Sequence, residues 1–129
     1  MDTPTNTKKI ILMADDEATL RRVMVVALSH RGYTVIEATN GQEAVTMSKE
    51  HHPDLILLDI MMPVMDGKEA LRQIRSAEDT ATIPVILLTN LNDMEYIAEA
   101  TSYTRVDYLV KADMSITDVI KKIDERLSA

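Results

Sequence analysis

The stretch LILLDIMMPVMDG, residues 55–67, runs four apolar residues from Leu55 to Leu58 straight into Asp59, then passes through Ile60, Met61 and Met62 to Pro63. A short apolar run without alternation suits a strand buried on both faces, as in a parallel sheet covered by helices. In such sheets ligands bind beyond the carboxyl ends of the strands. An acid at that end therefore raises the question of which other polar residues end strands.

Similar runs stand at IILMA (10–14), TVIEA (34–38), VILLT (85–89) and YLV (108–110), and each reads as a strand. Helical patterns lie between them. Leu20, Val23, Met24, Ala27 and Leu28 fall on one helical face, as do Ile116, Val119, Ile120, Ile123 and Leu127. Gly32 stops the first helix. Asn40 with Glu43, Asn92 with Glu95, and Ser115 with Asp118 have the spacing of helix starts. Five strand–helix units with short connections predict an α/β domain with right-handed crossovers. The expected topology is a flavodoxin-like (βα)5 doubly wound parallel sheet, strand order 2-1-3-4-5.

Composition sets limits. At 129 residues, 46% hydrophobic and 27% charged, the chain has room for one domain and a real core. It has no cysteine, so disulfides, thiolate metal sites and cysteine nucleophiles are excluded, and a reducing cytoplasm is the expected compartment. A formal net charge of −7 disfavours nonspecific binding to nucleic acid or to anionic membranes, so direct DNA contact is not expected. The opening MDTPTNTKK is polar, and no apolar segment follows with the length of a membrane span. Residues 1–8 are expected to form a flexible tail before a single domain over 9–127.

The strand ends answer the opening question. Asp15 and Asp16 follow the first strand, Asp59 ends the third, Thr89 ends the fourth and Lys111 follows the fifth. Singly, Asp16 or Thr89 could cap a helix, and Lys111 could snorkel to water. Together, three converging carboxylates repel by about 4 kcal/mol per close pair at an intermediate dielectric, so something cationic belongs among them. An oxygen-only donor set selects a hard divalent ion, with Mg²⁺ expected and Mn²⁺ its substitute. Lys111 adds a second positive charge. A cation, an ammonium and a hydroxyl donor around one carboxylate suit phosphoryl transfer to that carboxylate.

These residues resemble the receiver domain of two-component response regulators. The resemblance spans Lys9 to Leu127 and rests on LMADDEATLRRV, DLILLDIMMPVMDG, VILLT and DYLVK, in order and at family spacing. It implies that Asp59 accepts a phosphoryl group from a histidine kinase or a histidine phosphotransfer protein. By the same resemblance, Asp16, Asp59 and the Met61 backbone carbonyl would bind Mg²⁺, with Asp15 reaching it through water. Thr89 would bond a phosphoryl oxygen, and Lys111 would pair with Asp59 and then with the phosphoryl group. Tyr108 matches an aromatic switch that turns inward when Thr89 moves, although an ordinary half-buried strand aromatic also fits. The implied output surface is the fourth helix, fifth strand and fifth helix, acting on a downstream protein, with the chain a monomer or a phosphorylation-dependent dimer. Such a domain is not a conventional enzyme, but it assists its own phosphorylation and dephosphorylation.

Other readings fit less well. A haloacid-dehalogenase-like phosphatase needs a second aspartate where Met61 stands, and a flavodoxin would not present DDEAT to a flavin phosphate. The rival reading is a phosphorylation-independent pseudo-receiver that acts as a binding module. Ala112 replaces the proline that usually follows the lysine, so the Lys111–Ala112 bond is expected to be trans. Asn90 and the TSYTRVDY segment also depart from the family pattern. Met61, Met62 and Met65 read as packing around the acceptor loop, with a partner contact as the alternative. Met61 and Leu91, two residues beyond the acceptor and the threonine, would shield the phosphoryl group from in-line water and slow its loss.

Overall fold

A computed structural model describes residues 8–90, 94–100 and 102–128. The elements run β1 (Ile10–Ala14), α1 (Ala18–His30), β2 (Thr34–Ala38), α2 (Gly41–His51), β3 (Leu55–Asp59), α3 (Gly67–Ser76), β4 (Val85–Thr89), α4 (Met94–Ala100), β5 (Val106–Val110) and α5 (Ile116–Leu127). The five strands form one sheet in the order β2-β1-β3-β4-β5, and every paired neighbour is parallel. The expected topology is thus the observed one. The third strand takes in Asp59, and the fifth begins two residues earlier than the apolar pattern marks.

Side chains alternate across the sheet, so the unbroken apolar runs fill two cores. Leu12, Ile56, Leu58, Val85 and Leu87 pack on one face with Ala44 and Val45 of α2, Ala70, Leu71 and Ile74 of α3, and Ile97 of α4. Ile11, Met13, Leu55, Leu57, Ile86 and Leu88 pack on the other with Met24 and Leu28 of α1 and Val119 and Ile123 of α5. β1, β3 and β4 are buried almost throughout, whereas the edge strands β2 and β5 are only half covered. Val23 departs from its expected place on the buried face of α1 and is 44% exposed.

Helix ends follow local chemistry. Asn40 caps α2 by accepting from the Glu43 N–H at 2.8 Å. Ser115 and Asp118 form a reciprocal capping box at α5. Gly32 follows the end of α1 with φ of 96°, a conformation that glycine adopts without steric cost. The Asn92 cap expected for α4 lies outside the described residues, as do Leu91 and residues 1–7 of the expected tail. No helix among the described residues is long and apolar enough to cross a membrane.

Candidate functional site

Strand register builds the site. Ala14 pairs with Leu58, so Asp15, the residue after β1, lies beside Asp59, the last residue of β3. Asp59 in turn pairs with Leu88, one residue before Thr89. The Lys111 N–H donates to the Thr89 carbonyl at 2.8 Å, which fixes the chain leaving β5 against the end of β4. All five strand-end residues named from sequence therefore stand on one rim. Asp15, Asp59 and Thr89 are buried there, Lys111 is half-buried and Asp16 is exposed.

Lys111 Nζ lies 2.8 Å from Asp15 Oδ2 and 3.2 Å from Asp59 Oδ1. It thus bridges both buried acids rather than serving Asp59 alone. Burial, then the neighbouring Asp15, pushes the Asp59 carboxyl up to about 6, and Lys111 only partly offsets this. Burial alone would lower the Lys111 ammonium, but Asp15 and Asp59 outweigh it and hold the ammonium above its ordinary value. The rim carries more negative charge than its one lysine neutralises.

The carboxylates form a cluster that could hold a metal ion. Asp15, Asp16 and Asp59 each offer an oxygen, all within 4.8 Å of one another. Asp15 Oδ2 is fully buried, and among the described residues the Lys111 ammonium at 2.8 Å is what faces it. A small ion held by oxygen atoms suits such a set.

The loop after Asp59 is clasped by two glycines. The Gly67 N–H donates to the Ile60 carbonyl at 2.7 Å, and the Gly41 N–H donates to the Met65 carbonyl at 2.9 Å. A Cβ at Gly67 would stand 2.1 Å from the Asp59 carbonyl oxygen, and one at Gly41 would stand 2.2 Å from that of Met65. No larger residue fits either place without moving backbone. Asp66 caps α3 by accepting from the Glu69 N–H at 2.9 Å. Asp66 and Glu69 have the same three-residue spacing as Asn40 with Glu43 and Ser115 with Asp118, so this cap, missed above, had a signal in the sequence.

The three methionines of the loop diverge. Met62 is buried and Met65 packs on the core, but Met61 is 52% exposed and is not the packing residue expected. The Thr89 hydroxyl donates to the Asn90 carbonyl at 3.0 Å, and Tyr108 on β5 is 39% exposed. No peptide bond among the described residues is cis, so Lys111–Ala112 is trans as expected. Where the family glycine is missing before β5, Arg105 takes a left-handed conformation with φ of 59°. Arg75 of α3 donates to the carbonyls of Thr104 and Arg105 and so pins that turn.

Comparison with known proteins adds independent support. The response regulator receiver domain family model matches residues 11–124. A probable transcriptional regulator, ycf27 of Porphyridium aerugineum, is 36% identical over 127 residues, covering 94% of this chain and 52% of that protein. The chain thus spans about half the length of that relative. The chemotaxis response regulator CheY4 of Vibrio cholerae superposes with a TM-score of 0.84 at 27% identity, covering 93% of this chain and 99% of that one. The receiver domain of sensor histidine kinase PA1611 from Pseudomonas aeruginosa PAO1, described with a magnesium ion coordinated in its active site cleft, gives 0.83 at 27% identity, covering 95% and 100%. The expectation of no direct DNA contact rests on the charge of these 129 residues alone, and a relative of greater length is named as a transcriptional regulator.

Proposed function

The chain belongs to the response regulator receiver domain family of two-component systems, and from that premise we propose that Asp59 is its phosphoacceptor, charged by a histidine kinase or histidine phosphotransfer protein. The observation that carries this reading is the buried Asp59 carboxylate with Lys111 Nζ at 3.2 Å and two further carboxylates in coordinating reach. In the transfer, an Asp59 carboxylate oxygen attacks the phosphorus of a phosphohistidine. The P–N bond breaks as the P–O bond forms, and the imidazole leaves with the electron pair.

Asp15, Asp16, Asp59 and the Met61 backbone carbonyl would hold Mg²⁺ or Mn²⁺. The bound ion supplies charge neutralisation for the phosphoryl oxygens. Lys111 would follow the negative charge from the free carboxylate to the phosphoryl group, and the Thr89 hydroxyl would exchange its bond to Asn90 for a phosphoryl oxygen. Outward Tyr108 would turn inward as Thr89 moves, altering the face of α4, β5 and α5 that a downstream protein reads. That face would also serve a phosphorylation-dependent dimer. The chain is not a conventional enzyme in this reading, but its own site promotes gain and loss of the phosphoryl group, in the cytoplasm.

Incubation with acetyl phosphate and Mg²⁺, then borohydride reduction and peptide mapping, tests the assignment. Reduction of an acyl phosphate at Asp59 should convert that residue alone to homoserine. An unmodified peptide spanning residues 55–67 would favour the pseudo-receiver, and modification elsewhere would move the acceptor.

A further inference from the structure

Asp15 and Asp16 differ in how they are held. Asp15 is fixed three ways: its Oδ1 accepts from the Glu17 N–H at 2.9 Å, its Oδ2 faces Lys111, and its N–H donates to the Ala38 carbonyl at 3.1 Å. The exposed Asp16 carboxylate makes no hydrogen bond among the described residues. With no partner fixing its rotamer, the backbone it leaves limits where that carboxylate can reach. The Asp15 carbonyl and the Asp16 N–H belong to one planar peptide, so whatever orients that carbonyl orients the start of Asp16.

Arg21, one turn into α1, does this. Its Nη1 donates to the Asp15 carbonyl at 2.8 Å while its Nε donates to Glu37 Oε1 on β2 at 3.2 Å. The side chain is only 15% exposed, although Glu37 is 46% exposed. Two nitrogens of one planar guanidinium thus tie the β1–α1 loop to the neighbouring strand. A lysine ammonium is a single point charge and cannot reproduce the fork.

We infer that Arg21 is a positioning residue for the cation site: by clamping the Asp15–Asp16 peptide against Glu37 it aims Asp16 at the ion shared with Asp59. The inference rests on the metal-site reading above. Charge and geometry make opposite forecasts, which is what makes it testable. A cation near a metal site repels the metal, so if Arg21 acted only through its charge, Arg21→Gln would tighten Mg²⁺ binding. If Arg21 aims Asp16, the same change weakens it.

The experiment is an Mg²⁺ titration of the full chain, without phosphodonor, followed by amide NMR shifts at the β1–α1 loop. It compares wild type, Arg21→Gln, Arg21→Lys and Glu37→Gln, each first shown to be folded in EDTA. Loss of an outer-shell partner typically weakens metal affinity by about 10-fold or more, and that is expected for Arg21→Gln. Arg21→Lys should fail to restore it, and Glu37→Gln, which leaves the Asp15 bond in place, should fall between. Arg21→Gln or Arg21→Lys within twofold of wild type, or tighter, overturns the inference. If Arg21→Gln is unfolded in EDTA, Arg21→Lys, which keeps the charge and loses the fork, decides by the same criterion. No Mg²⁺-dependent shift in wild type overturns the metal-site reading itself, a result distinct from the failure of Arg21.

Discussion

At Asp59 the proposed chemistry and stability oppose each other. Its carboxyl, pushed up to about 6 by burial and by Asp15, keeps its proton in the folded state where an unfolded aspartate would release it. Stability from this group is thus fully present below pH about 4 and is lost as pH rises through about 6, by roughly 2–3 kcal/mol in metal-free buffer. Asp59→Asn removes the titrating group. Its stability relative to wild type should rise between pH 4 and 6 and level off above, as read by urea denaturation in EDTA. A difference that stays flat across that range would refute the burial account. Met61 carries a second expectation, because its exposed thioether cannot orient a water by a strong hydrogen bond. Met61→Asn should hasten loss of the phosphoryl group without preventing its gain, as followed by the decay of phosphorylated protein after donor removal.

The elements show what patterning can and cannot reveal. The strand-end acids, Thr89 and Lys111 were legible because parallel strands carry their carboxyl ends to one rim, so a strand reading is already a site reading. Val23 was misplaced because helical periodicity marks a stripe broader than the one α1 buries, which centres on Met24 and Leu28. Arg21 was illegible because its partners are a backbone carbonyl and a residue 16 positions away. Close approach at Gly67 was equally hidden. Gly67→Ala would drive a Cβ into Asp59 and Ile60 backbone, and overpacking of this kind costs about 1–3 kcal/mol. The variant should melt lower and accept phosphoryl groups more slowly, because the displaced atoms adjoin the proposed acceptor Asp59. Arg105 offers the opposite case. With φ of 59° its Cβ is strained, and Arg105→Gly should stabilise the chain by up to about 1 kcal/mol in urea denaturation, since the left-handed penalty for an L-residue is of that order.

Over the whole molecule, two apolar layers enclose a sheet whose carboxyl-end rim is unfavourable to itself: Asp15 and Asp59 are buried together with Lys111 between them. A ligand that binds only this folded arrangement adds to stability by mass action. Mg²⁺ at tenfold its dissociation constant should contribute about 1.4 kcal/mol, visible as a higher melting temperature, and Asp16→Ala should remove most of that gain. An unchanged melting temperature for wild type across millimolar Mg²⁺ would count against the site. The central claim, that Asp59 takes the phosphoryl group, is tested most directly by intact mass. After incubation with acetyl phosphate, wild type should gain about 80 Da, the mass of one phosphoryl group, only when Mg²⁺ is present, and Asp59→Asn should gain nothing. An unmodified wild type, or an equal gain in Asp59→Asn, would contradict it.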